Sequence, residues 1–358
     1  MEDRMTSKEY TDRLVDEGAL TDYLEAELGP ADEYSVERFS GGHSNETLFV
    51  TWGDYDLVLR RPPPGETADS AHDVIREHHV MDALQETDVR VPTTVLACDD
   101  HDLIGSDFYV MEQEKGVVLR DEEPDRFTDP DTRRRVGAEL IDRLAEIHTV
   151  DYEAVRLEGF GRPEGYTERQ VDRWHQQLEW AFEVTAKERA IPPLDDVHSW
   201  LAANVPDSHP HALVHGDYKL DNVIFGSEDP PEIAGIVDWE MSTLGDPRSD
   251  LAWLLTYWRD ADDPPCAIPE LVPTFTDREG YPTKADIVDR YEAATDVTFE
   301  HEQFYRALAV YKLAAICEMF FRRHLEGNAD NPMYPKMRER VPAMADWAVR
   351  IIEGDEPV

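Results

Sequence analysis

Hydrophobic positions change their rhythm partway along this chain. In the first third they come in short runs bounded by Gly, Pro and polar turns, at 36–39, 47–52, 55–60, 93–98 and 108–112, which predicts five strands. Gly53-Asp54 reads as a tight hairpin turn, and Pro62-Pro63-Pro64-Gly65 stops the third strand. An amphipathic helix over 7–28 leads the chain. A second helix is expected over 71–87, capped by Ser70 with Asp73 at N3 and with Val74, Met81 and Leu84 on its apolar stripe. Residues 36–112 therefore read β-β-β-α-β-β. After Lys115-Gly116 the apolar residues recur at helical spacing, over about 130–149, 167–189, 246–258, 283–295, 300–326 and 335–352. A β island interrupts them at 212–214, 222–225 and 234–237. The pattern predicts an α+β protein of two lobes, a small β-rich one over 1–113 and a larger, mainly helical one over 114–358. Clefts between such lobes are the usual place for a ligand.

Charge changes this picture most. Asp and Glu number 78 against 35 Lys plus Arg, a formal net charge of −43 over 358 residues. The acid is spread along the chain, so it belongs to the folded surface and should repel nucleic acid and anionic membranes. About 1 M salt shortens the Debye length to roughly 3 Å, which screens that self-repulsion. A halophilic, haloarchaeal-type protein of the cytoplasm is the expected class. Cys98, Cys266 and Cys317 are too few and too far apart for a disulfide framework or a Cys-based zinc site. The polar start, MEDRMTSKEY, lacks the apolar stretch of a secretion signal, and no apolar run reaches the length of a membrane span.

Against that acidic background four clusters carry chemistry. In His215-Gly216-Asp217-Tyr218-Lys219-Leu220-Asp221-Asn222 the His, Asp and Asn keep the offsets of the protein-kinase catalytic loop. A loop folded back on itself would aim Asp217 at an acceptor hydroxyl and Asn222 at a metal. Asp238 ends the apolar run Ile236-Val237 sixteen residues later, where a second hard oxygen ligand for Mg²⁺ would stand. Ser40-Gly41-Gly42-His43-Ser44-Asn45 joins the first two strands, and its glycines would let backbone N–H groups approach phosphate. Arg60, ending the third strand, and Glu77, on the following helix, stand where kinases pair a lysine with a helix glutamate. Arg60 could grip phosphate through two donors, and the adjacent Arg61 adds to a rare concentration of positive charge. Each cluster alone could be an ordinary turn or a pair of surface charges; the weight lies in their order. His209, His211 and His215 are discounted as a zinc site, His215 being expected behind the loop. Trp174, Trp180 and Phe182 are read as core or pocket wall.

Together these stretches, with Val58-Leu59-Arg60-Arg61-Pro62, Phe160-Gly161-Arg162-Pro163 and the segment 238–250, resemble the aminoglycoside/choline-type phosphotransferase family, over about residues 20–350. They are most similar to the phosphotransferase domains associated with acyl-CoA dehydrogenases in eukaryotes. The resemblance implies a protein-kinase-like two-lobed fold, an ATP- and Mg²⁺-dependent kinase, and a hydroxyl acceptor on a small molecule such as a hydroxyacyl-CoA. It implies Asp217 as catalytic base, Lys219 near the transferred phosphoryl group, Asn222 and Asp238 as metal ligands, and a hinge at Met111-Glu112-Gln113 holding the adenine. Gly41, Gly42, Ser44, Asn45, Arg60 and Glu77 complete the nucleotide-binding set. Asp250 is expected to brace the catalytic loop, and a functional link to a separate acyl-CoA dehydrogenase is expected. Arg60 departs from the wider family's lysine but suits the acyl-CoA-dehydrogenase-linked group.

Other readings stay open. A protein kinase is disfavoured because only eleven residues separate Asp238 from Asp250 and no A-P-E follows. An aminoglycoside, choline or sugar kinase, and a non-catalytic nucleotide-binding module, are the alternatives. The Pro- and Asp-rich stretch 259–282 reads as a loop over the substrate side.

Overall fold

The computed structural model describes residues 7–39, 45–64, 73–207, 209–327 and 331–356. The chain divides into two compact units, 1–116 with 234–242, and 117–233 with 243–358.

In the first unit, helices α1 (Ser7–Leu14) and α2 (Glu17–Leu28) precede strands β1 (Tyr34–Phe39), β2 (Glu46–Trp52) and β3 (Tyr55–Arg61). Helix α3 (Val74–Leu84), β4 (Thr94–Cys98), the single turn α4 (His101–Ile104) and β5 (Phe108–Glu112) follow. The strands form one antiparallel sheet in the order β1-β2-β3-β5-β4. Period-two alternation sorts its side chains. Leu48, Val50, Trp52, Leu57, Leu59, Phe108 and Val110 turn to one face and pack with Leu14, Leu20 and Leu24 from the leading helices. Each such buried apolar side chain contributes about 1.5–3 kcal/mol relative to an exposed one. Residues of opposite parity on β3 and β5, Val58, Arg60, Tyr109 and Met111, are buried as well. Helix α3 contacts β4 and β5 through a stripe containing Val74, Glu77, Val80, Met81 and Leu84.

Two expectations need correction here. The leading helix is broken at Val15-Asp16, because Asp16 caps α2 by accepting from the Ala19 N–H. Helix α3 begins at Val74, with Asp73 as its cap accepting from the Arg76 N–H; Ser70 lies outside the described residues.

The second unit is mainly helical: α5 (Pro130–His148), α6 (Tyr166–Thr185), α7 (Pro192–Ala203), α8 (Arg248–Thr256), α9 (Lys284–Thr295), α10 (Glu302–Leu325) and α11 (Met337–Glu353). Helix α10 is buried along most of its circumference and contacts α6, α7, α8 and α11, so it is the axis of this unit. The β island is present as β6 (Ala212–Val214) and β7 (Val223–Phe225), followed by β8 (Ile233–Ile236), which from Ala234 on belongs to the first unit. A strand the pattern did not predict, β9 (Thr243–Gly245), pairs antiparallel with β6. In the stretch 259–282, Ile268, Val272 and Phe275 are buried, so this loop is anchored by its own apolar residues. No helix among the described residues is long and apolar enough to cross a membrane.

Candidate active site

In the second unit, the segment after β6 is shaped by three anchors. Gly216 takes φ +84°, a left-handed turn that costs an L side chain about 1–2 kcal/mol. Asp250, on the first turn of α8, accepts from the His215 N–H at 2.6 Å and the Gly216 N–H at 2.9 Å. It also meets His148 Nε2 at 3.3 Å. Burial alone would raise the Asp250 pKa, but His148 and these backbone donors hold it below the usual carboxylate value. Tyr218 Oη donates to the Leu140 carbonyl at 2.7 Å and ties the loop to α5. His215 is fully buried, and its Nδ1 accepts from the Asp217 N–H.

These anchors present Asp217. Its Oδ2 accepts from Lys219 Nζ at 2.5 Å and Asn222 Nδ2 at 2.9 Å, and its Oδ1 accepts from Trp253 Nε1 at 2.8 Å. Burial pushes its pKa up, yet Lys219 and Lys312 pull harder and the net shift is downward. Asp217 is therefore a carboxylate at neutral pH, aimed and charged before any substrate arrives. The Asn222 amide nitrogen also donates to the Asp217 carbonyl at 2.8 Å. With that nitrogen spent, the Asn222 side-chain oxygen is the atom left to face a cation. Asp221, next to it, has its pKa raised by burial.

In the first unit, Arg60 and Asp238 come together. Arg60 Nη1 lies 3.1 Å from Glu77 Oε1, and its Nη2 lies 3.0 Å from Asp238 Oδ1. Glu77 is fully enclosed and accepts from the Trp239 N–H at 3.2 Å, so the helix glutamate also holds the segment that carries Asp238. Burial alone would lower the Arg60 pKa; Glu77, Tyr109 and Asp238 reverse this and hold it well above its usual value. Asp238 adopts φ +70°, ψ +56°, a left-handed conformation that Asp tolerates better than most residues. Its side chain keeps 28 % exposure, so a carboxylate oxygen is available beyond the arginine contact. Asn45 Nδ2 donates to Glu240 Oε2 at 3.2 Å, tying the end of the Gly-rich turn to the same segment.

Several predicted contributors stand differently. Arg61 points to the opposite face of β3 from Arg60 and is spent on the carbonyls of Leu14 and Ile104, so it packs the core and offers no grip on phosphate. The hinge N–H groups are also engaged: Glu112 donates to the Thr93 carbonyl and Gln113 to the Asp56 carbonyl. Those two donors are therefore closed to a base. Gly41, Gly42 and Ser44 lie outside the described residues. Trp174 is buried, whereas Trp180 is exposed under the Arg322 guanidinium, 3.7 Å from its ring.

Sequence reasoning missed Trp253 and Lys312. Trp253 stands three residues after Asp250 on α8, the spacing that shares a helix face, and this was the available signal. Lys312 is a lone charge inside the otherwise apolar run 307–317, in a chain poor in lysine.

Comparison with known proteins identifies the family and the fold. Residues 35–282 match the phosphotransferase enzyme family. Rat acyl-CoA dehydrogenase family member 11 is 34 % identical over 82 % of this chain and 37 % of its own length. Mouse acyl-CoA dehydrogenase family member 10 is 32 % identical over 93 % of this chain and 31 % of its own. The chain thus spans about a third of the curated relatives it matches. A Ralstonia eutropha protein, provisionally described as an aminoglycoside phosphotransferase, superposes with a TM-score of 0.80 at 30 % identity, over 95 % of this chain and 98 % of that one. Aminoglycoside 2'-phosphotransferase-IIIa in its GDP complex covers 92 % of this chain and 99 % of its own, with a TM-score of 0.62 at 16 % identity. Choline kinase from Cryptosporidium parvum has the same TM-score at 10 % identity, over 95 % and 97 %. Both share the fold. The chain belongs to the phosphotransferase enzyme family and has its kinase-like fold.

Proposed function

We propose that this protein is an ATP- and Mg²⁺-dependent phosphotransferase whose acceptor is a hydroxyl group of a small molecule of the hydroxyacyl-CoA kind. The observation that carries the reading is Asp217, a half-buried carboxylate held by Trp253, Lys219 and Asn222 on a loop clamped by Asp250.

Phosphoryl transfer asks the protein mainly for positioning and charge neutralisation. In this proposal Asp217 accepts the hydrogen bond of the acceptor hydroxyl and aligns its oxygen with the γ-phosphorus. As the new O–P bond forms, the bond to the ADP oxygen breaks, ADP leaves with the electron pair, and the hydroxyl proton passes to Asp217. With its pKa held down, Asp217 takes that proton late, once the hydroxyl oxygen has lost electron density. Lys219 offsets charge on the transferred group, and Arg60, fixed by Glu77, offers its guanidinium to the nucleotide phosphates. Asn222 and Asp238 each carry an oxygen that suits a hard cation, and Mg²⁺, when bound, would supply neutralisation of phosphate charge.

The acceptor class rests on likeness to relatives named acyl-CoA dehydrogenases, in which a matching segment occupies a third of a longer chain. A kinase and a dehydrogenase joined in one chain serve best when they handle the same acyl thioester. The test is ATP consumption in high-KCl buffer with Mg²⁺, against hydroxyacyl-CoAs, aminoglycosides, choline and sugars. Turnover with hydroxyacyl-CoAs that disappears in Asp217→Ala is expected. Near-normal turnover in that variant would sink the reading.

A further inference from the structure

We propose that Lys312 selects the acceptor: its ammonium binds a carboxylate or carbonyl oxygen a few bonds from the hydroxyl that is phosphorylated, and it excludes cationic acceptors. This deepens the function proposed above and rests on it for the identity of the reaction.

A cavity in the second unit is lined by Tyr166, Trp174, Gly216, Trp253, Tyr305 and Lys312, among others. It therefore adjoins the residue before Asp217 and the indole that holds Asp217. It measures about 30 Å³, room for one or two water-sized groups and not for a sugar ring. Its wall is aromatic, the usual construction for recognising a quaternary ammonium. Here, however, the protein's own cation occupies the rings: Lys312 Nζ sits 3.8 Å from the Trp253 ring centroid and 5.4 Å from that of Trp174. A choline or aminoglycoside ammonium entering this cage would meet a like charge.

What Lys312 lacks is as telling. Among the described residues its one hydrogen-bond acceptor is the Gly216 carbonyl, at 2.5 Å, and no carboxylate reaches ion-pair distance. An ammonium has three donors, so two remain for a ligand. In a chain with 78 acidic residues, this half-buried lysine has no carboxylate in ion-pair contact, and Asp217 and Asp250 attract it only from beyond that distance, so a ligand oxygen would gain from its charge. The groups that face it are Asp217 and Lys219 on the loop, Asp250 on α8 and Arg173 on α6, with Tyr166 and Tyr305 on the cavity wall. Burial is the largest influence and brings its pKa down to about 8. Trp253 links the two functions, since one face lies under Lys312 while its N–H bonds Asp217. The oxygen that Lys312 holds and the hydroxyl that Asp217 orients are thus separated by about one indole.

The experiment measures equilibrium binding to the full chain without nucleotide, by tryptophan fluorescence at fixed ionic strength. The probes are 3-, 4- and 5-hydroxyhexanoate, their CoA thioesters, the matching hexanediols and choline. At least one acid or thioester should bind, and which form binds tighter identifies the source of the oxygen. Lys312→Gln should weaken it about 10- to 100-fold, the worth of a hydrogen bond to a charged group. Lys312→Arg should retain most of the affinity, and diol binding should change less than about twofold in either variant. Wild-type affinity should fall as pH rises through about 8, where the ammonium is lost, and Lys312→Arg should remove that fall. Equal weakening for acid and diol, or choline binding the wild type as well as the acid, would overturn the proposal. Lys312-dependent acid binding without any ATP consumption would uphold the selection and refute the phosphotransferase reading instead.

Discussion

Arg60, buried, and Lys312, half-buried, are two enclosed cations in a strongly acidic chain, and the protein treats them in opposite ways. Arg60 is enclosed by Glu77 and Asp238, and its pKa is driven up. Lys312 is enclosed by indole rings and one carbonyl, and its pKa is driven down to about 8. The carboxylates around the arginine fix its charge and its position. The rings around the lysine support its stem, and Asp217 and Asp250 attract it only from beyond ion-pair contact. The arginine has its carboxylate partners supplied by the protein; in our proposal the lysine takes its partner from a ligand.

This contrast can be broken in several ways. The largest effect belongs to the residue that takes the proton in the proposed reaction. Asp217→Ala should lower turnover by at least about 10³-fold while nucleotide binding, followed by thermal shift, persists. Next comes Arg60→Met, which strands the enclosed Glu77 carboxylate. Breaking a buried pair in this way costs about 3–5 kcal/mol, read as a lower denaturant midpoint. Adding Glu77→Leu should recover much of the loss; if the single variant lost under about 1 kcal/mol, the view of Arg60 and Glu77 as a buried pair that supports the fold would be wrong.

Lys312→Met should act in the opposite direction and stabilise the fold, by about 1–2 kcal/mol at pH 7. The sign follows from the depressed pKa. Between about pH 8 and the ordinary lysine value the unfolded chain binds the proton and the folded chain does not. Wild-type stability should therefore rise with pH across that window, and the variant should lack the rise. Denaturant titrations at pH 7 and 9.5 would check both statements. The smallest effect is Trp253→Phe, which keeps the ring but removes the indole N–H from Asp217. Turnover should fall about tenfold, and the acid limb of the pH–rate profile should move upward as Asp217 loses a donor.

The Asp217 cluster, to which we assign catalysis, was legible in the chain because its parts are local. Asp217, Lys219 and Asn222 lie within six residues, and the loop closes on itself. The five strands were legible from period-two runs bounded by turns. What escaped was set by distance. Trp253 reaches Asp217 across 36 positions and Lys312 reaches Gly216 across 96. Strand β9 is three residues long and exists only by pairing with β6. Helix α7 opens on two prolines at its first positions, which resemble a linker until the chain is seen to continue as helix. Arg61 was credited with phosphate binding because neighbours in sequence seem neighbours in space, which a pleated strand forbids.

That last feature bears on how such chains can diverge. On β3, Arg60 and Arg61 have opposite tasks, one paired with Glu77 and Asp238 and the other bonded to the carbonyls of Leu14 and Ile104. Losing or gaining one residue inside the strand would exchange their faces, putting the core-bonding arginine in the phosphate-facing place and stranding a guanidinium in the apolar layer. Among descendants of this gene, length changes within Tyr55–Arg61 should therefore survive only in multiples of two, whereas the Gly53-Asp54 turn beside it is free to grow by any number.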